Sequence, residues 1–469
     1  MRRGARAGER PRLDPGGAPC QTRAMHPWLP LWLGGLGCVF WAAHAAEKTL
    51  HTFRKIQLTP EFWAEGAHVG DLNRDGHLDV IYGPFWWAGP DFTSRHEYRP
   101  ATNRFEVKLA DGTTRRLPGF EGALGTKNAY SDCFFTWTGD FNGDGWTDIL
   151  IVGIPGEQAW WFENPRGKPG HWKRHLAFEV VDNESPTLTD LTGDGRPELV
   201  CNSKGYFGYA VPDRADPTSP WKFYPISPDK NYHRFTHGLG VGDINGDGRA
   251  DLIESNGWWE QPASLAGDPV WTFHPFNFCP ADPGVPAGGA QLFAYDVNGD
   301  RLNDVITCLA AHGYGLAWYE QVRDGGEITF KPHVFMNKRP EDSPYGVKFT
   351  QPHALDLVDM DGDGLKDLIT GKRFWAHGPD GDPEPNAPAV LYWFKLVRGT
   401  SGVVDWVPYL VDNDSGVGTQ VLATDVNGDG HPDIVVGNKK GGHVFVQEIR
   451  RVGLEEWQTA QPRRIHARE

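Results

Sequence analysis

The stretch Asp243-Ile-Asn-Gly-Asp-Gly-Arg-Ala-Asp251 is one copy of the nine-residue pattern that decides the fold of this chain. The pattern is Asp-x-Asn/Asp-x-Asp-Gly-x-x-Asp, and successive copies begin 50 to 69 residues apart. The seven copies begin at Asp71, Asp140, Asp190, Asp243, Asp296, Asp359 and Asp425. A repeat of this length, present along most of the chain, indicates an array of similar structural units.

The spacing of the acidic residues predicts a calcium loop in each copy. Oxygen atoms at positions 1, 3 and 5 of a tight loop can converge on one hard cation, Gly at position 6 permits the turn, and the carboxylate at position 9 completes the shell. We therefore expect up to seven Ca²⁺ ions. The predicted ligands are Asp71, Asn73, Asp75, Asp79, Asp140, Asn142, Asp144, Asp148, Asp190, Thr192, Asp194, Glu198, Asp243, Asn245, Asp247, Asp251, Asp296, Asn298, Asp300, Asp304, Asp359, Asp361, Asp363, Asp367, Asp425, Asn427, Asp429 and Asp433.

Two of the seven copies depart from the pattern, and the EF-hand alternative fails for the set as a whole. Thr192 and Glu198 replace ligands in the loop that begins at Asp190, and Arg301 replaces the glycine of the loop that begins at Asp296. We expect weaker calcium binding at these two loops. An EF-hand needs Glu at position 12 and flanking helices, and only Glu254 meets the first condition.

The segments around each loop predict short β-strands. An apolar run precedes each loop, a second follows it directly, and an aromatic run and a further strand come later, as in TDILIVG, AWWFEN and WKRHLAF. Four strands per repeat predict an all-β, seven-bladed β-propeller with the calcium loop between the first and second strands of each blade. We expect the strand at His51–Leu58 to complete the last blade, with the segment around Trp457 as the competing candidate.

Tryptophan pairs recur within the aromatic run of several repeats. Trp86-Trp87, Trp160-Trp161 and Trp258-Trp259 occupy the same predicted strand. Exposed rings could stack on sugars, but recurrence at one structural position favours packing between blades.

The loops and the aromatic third strand resemble those of the FG-GAP/VCBS repeat family, whose propellers are similar to the head of integrin α chains. The segment Val152-Gly-Ile-Pro155 resembles the Gly-Ala-Pro turn of that family. The resemblance covers residues 47–469, and it implies a single seven-bladed, calcium-binding propeller of the secreted bacterial type. It implies little about activity, because one fold serves many functions.

Residues 1–45 predict an export signal. An apolar run from Trp28 to Ala43 leads into Ala43-His44-Ala45, which is typical of a signal peptide cleaved near Ala45. Met25 is an alternative start, with the first 24 residues as an extension. We expect a secreted, periplasmic or cell-surface protein with no transmembrane segment in the mature chain; an uncleaved membrane anchor is the alternative.

Charge and cysteine content restrict the partners. The formal net charge is −15, so the chain lacks the basic stripe that nucleic-acid binding requires. Four cysteines follow the signal segment, namely Cys133, Cys201, Cys279 and Cys308. They could form disulfides in an oxidising compartment or remain as buried thiols. We expect a monomer.

Candidate functional residues lie where the innermost strands begin, which is the channel mouth opposite the calcium loops. His237 and His353 both stand six residues before the first Asp of their loops, so they should lie at similar heights on two blades. With Asp132 and Glu184 nearby, they are catalytic candidates that could bind a transition metal or act as acid and base. The alternative is that they are hydrogen-bonded residues of an ordinary polar channel.

Two functions therefore remain open, and whether the chain is an enzyme stays undecided at this stage. The first is an extracellular binding or adhesion module for a glycan or a protein. The second is a carbohydrate-active lyase or sugar dehydratase with its site at the channel mouth. The sequence has no GxSxG, HExxH, P-loop or dinucleotide motif to suggest another chemistry.

Chelation should destabilise the protein markedly. Each loop carries three acidic residues, and the sixth carries four, so removal of the cations leaves clustered carboxylates that repel one another and also removes the stabilisation due to ligand binding. We expect the melting temperature to fall in excess EGTA and to recover when Ca²⁺, but not Na⁺, is added back. An identical melting curve with and without EGTA would contradict the calcium assignment.

Overall fold

Over the residues that the structure describes, the protein is all-β apart from one short α-helix and one 3₁₀ turn. The computed structural model describes residues 47–108, 111–280, 284–285, 287–399 and 402–465. The helix α1 spans Leu454–Ala460, and the 3₁₀ turn spans Pro340–Asp342. Within the described part of the chain, neither helical segment has the length and apolar character needed to span a bilayer. The predicted signal segment, residues 1–45, lies outside the described residues.

The strands form seven antiparallel ladders of four, here called units one to seven, and each ladder contains one of the nine-residue loops. The first strands are β2 (Ala67–Gly70), β8 (Phe135–Gly139), β11 (Lys173–Thr189), β15 (Leu239–Gly242), β19 (Gln291–Tyr295), β23 (Leu355–Val358) and β27 (Val421–Thr424). The second strands are β3 (Asp79–Tyr82), β9 (Asp148–Val152), β12 (Glu198–Ser203), β16 (Asp251–Glu254), β20 (Asp304–Cys308), β24 (Asp367–Gly371) and β28 (Asp433–Asn438). Each loop joins the first strand to the second, as the sequence predicted.

The outer half of each unit carries the aromatic run. The third strands are β4 (Phe85–Trp87), β10 (Glu157–Glu163), β13 (Tyr206–Val211), β17 (Gly257–Glu260), β21 (Leu316–Asp324), β25 (Leu391–Arg398) and β29 (Gly441–Val452). The fourth strands are β5 (Arg95–Glu97), the first half of β11, β14 (Lys222–Pro225), β18 (Thr272–Pro275), β22 (Glu327–Met336), β26 (Val404–Asp412) and β1 (Lys48–Thr59). An extra hairpin of β6 (Arg104–Lys108) and β7 (Thr114–Pro118) follows unit one.

Several strand pairings join the units, and one of them is the parallel pairing of β15 with β19 between units four and five. Strand β11 pairs with β10 along its first half and with β12 along its second, so one continuous strand leaves unit two and enters unit three. Strand β1 pairs antiparallel with β29, from Lys48 opposite Val452 to Thr59 opposite Gly442. The N-terminal strand therefore completes the last unit, as predicted, and Trp457 belongs to α1 instead. Strand β2 also contacts both β8 and β27, so the first and last units are neighbours.

The acidic residue at position 9 of every loop is buried and bonds to the backbone. In unit four, one oxygen of Asp251 accepts the N–H of Ile244 at 2.8 Å and the other accepts the N–H of Gln261 at 2.9 Å. The first bond holds position 2 of the same loop, and the second holds the third strand. The same two bonds recur at Asp79, Asp148, Asp304, Asp367 and Asp433. This carboxylate thus fastens the turn to the sheet, a role that the sequence analysis did not anticipate.

In four units, a buried side-chain amide hydrogen-bonds the loop of that unit to the loop of a preceding unit. The side chain of Gln321 donates from Nε2 to the carbonyl of Asn303 in its own loop and to the carbonyl of Ile244 in the loop before it, at 2.6 and 2.9 Å. Asn164, Gln261 and Gln447 make the equivalent pairs of bonds. Four junctions between neighbouring loops are therefore closed by one side chain each.

The aromatic run packs within and between units. Trp87, Trp161, Trp258 and Trp259 are buried, which supports packing over exposure to sugars. A tryptophan of the third strand stacks on a histidine of the fourth in four units, at centroid distances of 4.0 to 4.3 Å.

Among the described cysteines, Cys133, Cys201, Cys279 and Cys308 are all buried free thiols, so the disulfide alternative is wrong for this structure.

Replacing Gln321 by alanine should destabilise the fold. The change removes the two hydrogen bonds to loop carbonyls and a third that the side-chain oxygen accepts from Arg323. It leaves the two carbonyls without their donor in a site where Gln321 is only 2% exposed, which costs about 2–3 kcal/mol. Thermal or urea unfolding of the variant measures this loss. Gln158→Ala, at an exposed position of β10, is the matched control and should leave unfolding unchanged. If the two substitutions had equal effects, the hydrogen bonds of Gln321 between the two loops would be ruled out as a stabilising contact.

Candidate functional site

Four charged or ionisable side chains occupy the same position in four different units. Glu65, Glu184, His237 and His353 each stand six residues before the first Asp of their own loop. They lie at the end of the first strands that is opposite the acidic loops, and all four are at least nine-tenths buried. Of these four residues, only the two histidines were predicted from this offset.

Backbone geometry directs Glu184 inwards. The chain turns sharply within β11, where Asn183 has a left-handed φ of 84° and its side chain accepts the N–H of Ser185 at 2.6 Å. The N–H groups of Asn183 and Glu184 donate to the carbonyls of Arg234 and Thr236, at 2.8 and 2.9 Å. These bonds join β11 to the segment that leads into β15, and so hold Glu184 beside His237.

The structure brings Glu184, His237 and His353 together, and it adds His312. Glu184 Oε2 lies 3.1 Å from His353 Nε2 and 3.6 Å from His237 Nε2. His312 Nε2 lies 3.0 Å from His237 Nε2. We call these four residues the histidine cluster; one donor atom from each lies within 4.8 Å of every other.

Further members of the site come from the loops between second and third strands. His312 follows β20, and Lys372 and Arg373 follow β24; Lys439 likewise follows β28. Because strands one and two are antiparallel, the end of the second strand lies at the same face as the start of the first. In the sequence, these members of the site were indicated only by the basic residues that follow the second strands DVITC, DLITG and DIVVGN. The candidates predicted from the sequence came from the first strands alone, so these residues were missed.

Burial sets the protonation states of the histidine cluster. It lowers the pKa of His237, His312 and His353 to about 4, because a charged imidazolium is poorly solvated there. Burial alone would raise the pKa of Glu184, but His237, His353 and Arg373 together hold it well below its usual value. At neutral pH the site therefore combines three neutral imidazoles with one carboxylate.

Buried ion pairs surround the histidine cluster. Arg373 Nη2 lies 3.1 Å from Glu65 Oε2, and its Nη1 lies 3.1 Å from His353 Nε2 and 3.7 Å from Glu184. Lys439 lies 3.9 Å from Glu65, and burial lowers the pKa of its ammonium to about 8. Arg373 thus connects Glu65 to the histidine cluster.

A histidine–carboxylate pair borders the histidine cluster on its outer side. Asp382 accepts a hydrogen bond from His377 Nδ1 at 2.8 Å, and its other oxygen lies 3.4 Å from His312 Nδ1. The His377 ring stacks on that of His312 with centroids 4.3 Å apart. The side chain of His377 remains 43% exposed, so it can meet a bound molecule directly.

A cavity of about 460 Å³ gives solvent access to these groups. Its walls combine three aromatic rings with ionisable side chains, which is typical of a small-molecule site. The lining residues are Tyr130, Phe134, Ile154, Glu184, His233, Phe235, His237, His312, Arg373 and His377.

Asp132, the remaining catalytic candidate, is not part of this cavity. Its carboxylate makes a two-point ion pair with Arg99, with both N–O distances at 2.8 Å. It lines a separate pocket of about 620 Å³ together with Trp160 and Trp172. The strong pairing with Arg99 removes it from the groups available to the histidine cluster.

The acidic nine-residue loops have the donor atoms that a hard cation needs. In two of them, three carboxylates approach within 4.8 Å of one another: Asp190, Asp194 and Glu198, and Asp359, Asp361 and Asp367. Oxygen donors in this number suit Ca²⁺. Arg301 takes the left-handed φ of 72° that glycine supplies elsewhere, so its loop keeps the common shape. In the sixth loop the ammonium of Lys395 contacts Asp361 and Asp363.

The sequence matches known repeat families in two places. Residues 140–201 match the FG-GAP-like repeat, and residues 417–446 match the FG-GAP repeat. These matches confirm the resemblance that the loops predicted. No curated protein sequence matches the chain.

Several solved structures are similar over most of the chain. A lectin of Agrocybe aegerita that recognises non-reducing terminal N-acetylglucosamine is 17% identical, with 86% of each chain covered and a TM-score of 0.40. An exotype rhamnogalacturonan lyase is 14% identical, covering 85% of this chain and 72% of the lyase, with a TM-score of 0.39. The BBS1 N-terminal fragment solved with ARL6 is 12% identical, with coverages of 73% and 95% and a TM-score of 0.36.

Replacing Glu65 by glutamine should destabilise the protein by about 3 kcal/mol, because it leaves the charge of Arg373 short of its main partner inside the protein. Glu448→Gln breaks an ion pair with Arg54 whose side chains are 49% and 55% exposed, and such pairs contribute little. Thermal unfolding compares the two variants. A loss for Glu448→Gln as large as that for Glu65→Gln would contradict a structural role for the buried pair.

Proposed function

We propose that this FG-GAP repeat protein is an exported, calcium-stabilised seven-bladed β-propeller that acts on a carbohydrate at the cavity above the histidine cluster. The seven ladders support the blade count, and the contacts of β2 with both β8 and β27 support a closed ring. The Ca²⁺ ions would be held by the oxygen atoms of the seven loops, where they neutralise the acidic turns. Export follows from the predicted signal segment.

One observation favours an enzyme over a rigid binding module. Glu184, His237 and His353 come from three different units, yet their side chains meet in one buried group beside an open cavity. Placing an ionised carboxylate and neutral imidazoles out of water is costly, and perturbed ionisable groups in a cleft are typical of catalytic sites. A module that only presented a surface to a partner would not require this arrangement.

The groups of the cavity suit an elimination reaction, the chemistry of a lyase or a sugar dehydratase. His377, oriented by Asp382, is the exposed base that could take the proton from the carbon next to a sugar carboxylate. The electron pair of that C–H bond forms a C=C bond while the C–O bond to the leaving group breaks. The leaving oxygen then takes a proton from water or from the rim of the cavity.

The remaining cavity groups suit an acidic sugar as substrate. Arg373 lines the cavity and carries a permanent charge that could neutralise the substrate carboxylate as the enolate develops. Tyr130 and Phe235 offer partly exposed aromatic faces on which a pyranose ring can pack. We therefore propose a uronic-acid-containing glycan as the substrate class.

Replacing Glu184 by glutamine should lower the rate of elimination at least roughly 100-fold, because it removes the carboxylate that pairs with Arg373, the group proposed to neutralise the developing enolate. The assay follows the ultraviolet absorbance of the new conjugated double bond on a panel of acidic polysaccharides. Asp132→Asn makes the same chemical change in the separate pocket and should retain full activity.

The alternative function remains a binding or adhesion module for a glycan or a protein. Saturable glycan binding without release of an unsaturated product, unchanged in Glu184→Gln, would favour that module. A panel that gave neither binding nor product would overturn the carbohydrate proposal.

A further inference from the structure

We propose that the histidine cluster of Glu184, His237, His312 and His353 is a binding site for a divalent transition metal, distinct from the calcium loops. The four residues come from units three to six, and their donor atoms converge at the floor of the cavity. Three imidazole nitrogens and one carboxylate oxygen form a donor set that suits Zn²⁺ and its neighbours in the first transition row.

Three of the six distances between donor atoms lie close to the edge length of a metal tetrahedron. Zn²⁺ binds histidine nitrogen and carboxylate oxygen at about 2.0–2.2 Å, so its tetrahedral ligands lie about 3.3–3.6 Å apart. The separations are 3.0 Å between His312 and His237, 3.1 Å between His353 and Glu184, and 3.6 Å between His237 and Glu184, and the other pairs lie within 4.8 Å. Small side-chain adjustments would therefore bring the donors into coordination without movement of the strands.

Hydrogen bonds at the far side of two rings orient their lone pairs inwards. His312 faces Asp382 with Nδ1, and His237 interacts with the backbone of Phe235. With the proton on Nδ1 in both rings, the two Nε2 lone pairs face each other at 3.0 Å, beside the carboxylate of Glu184. Metal-binding histidines are held in this way by carboxylates and carbonyls. A cation between the two nitrogens would remove the repulsion of the lone pairs.

The balance of charges around the histidine cluster is compatible with a bound cation. Glu184, Glu65 and Asp382 are the nearby carboxylates, and Arg373 and Lys439 are the nearby cations. Arg373 opposes the metal, because its Nη1 lies 3.1 Å from His353 Nε2. Its Nε and Nη2 atoms face Glu65, so the guanidinium can give up the contact with His353 and stay paired. A metal beside Arg373 would then make the cavity floor attractive to an anionic group.

This inference rests on the proposed function only for the position of the substrate. The metal site follows from the four donors and their neighbours, whatever molecule enters the cavity. If the substrate is an acidic sugar, the metal would act as the second positive centre next to Arg373 and stabilise the enolate.

Binding of Co²⁺ and Zn²⁺ to the purified full chain, in excess Ca²⁺ to saturate the oxygen-rich loops, tests the proposal. We expect one tightly bound metal per chain by elemental analysis and, for Co²⁺, the intense visible absorption of a four-coordinate site. His237→Ala and His353→Ala should each weaken Co²⁺ binding at least 100-fold. Asp382→Asn, which leaves all four ligands in place, should weaken it about 10- to 100-fold.

His233→Ala is the matched control, because His233 lines the same cavity without belonging to the histidine cluster. It should bind Co²⁺ as the unaltered chain does, and melting curves establish that each variant is folded. Failure of the unaltered chain to bind Co²⁺ or Zn²⁺ in excess Ca²⁺, or undiminished binding by folded His237→Ala, would overturn the metal site. These measurements need no substrate, so their failure is distinct from a failure to find elimination activity.

Discussion

The fold depends on one buried carboxylate per repeat, at the ninth position of the acidic loop. A charged group away from water is tolerable only when hydrogen bonds replace its hydration. Here two backbone N–H groups do so, one from the loop and one from the third strand, as at Asp251 and Asp304. The same contact therefore fixes the turn, orders the strands around it, and leaves the earlier acidic positions of the loop facing outwards, where a cation can reach them.

The hydrogen bonds that join the units at the end with the acidic loops explain how a site can be assembled at the opposite end. The histidine cluster draws side chains from four units, and a shift of any unit by an ångström would separate its donors. Amides such as Gln321 join consecutive loops, and Glu65, Arg373 and Lys439 join units one, six and seven beneath the cavity. The hydrogen bonds that repeat from unit to unit therefore hold the loop end of the fold together. The side chains at the channel mouth differ between units, and this difference creates the site.

The repeat and part of the site could be predicted because each depends on spacing along the chain. The loop needs particular residues at fixed positions, so the strands on either side of it and the heights of His237 and His353 follow directly. His312, Arg373 and Asp382 could not be found in this way, because the segments between second and third strands differ in length from unit to unit. The hydrogen bonds of Gln321 to another repeat could not be predicted either, since the sequence of a strand does not indicate which distant carbonyl a side-chain amide will reach. Asp132 was a site candidate because of its position in the sequence, but its ion pair with Arg99 holds it outside the cavity.

The pairing of β1 with β29 has a consequence for the order in which the chain folds. This ladder joins residues separated by almost the whole described sequence, such as His51 and Ile449. Units one to six can form from contiguous segments as they emerge, whereas the last unit lacks its outer strand until both ends of the chain are present. Contacts of such long separation form slowly. The nascent polypeptide must therefore keep β1 unpaired until β29, the last strand to be synthesised, emerges and pairs with it in one late step.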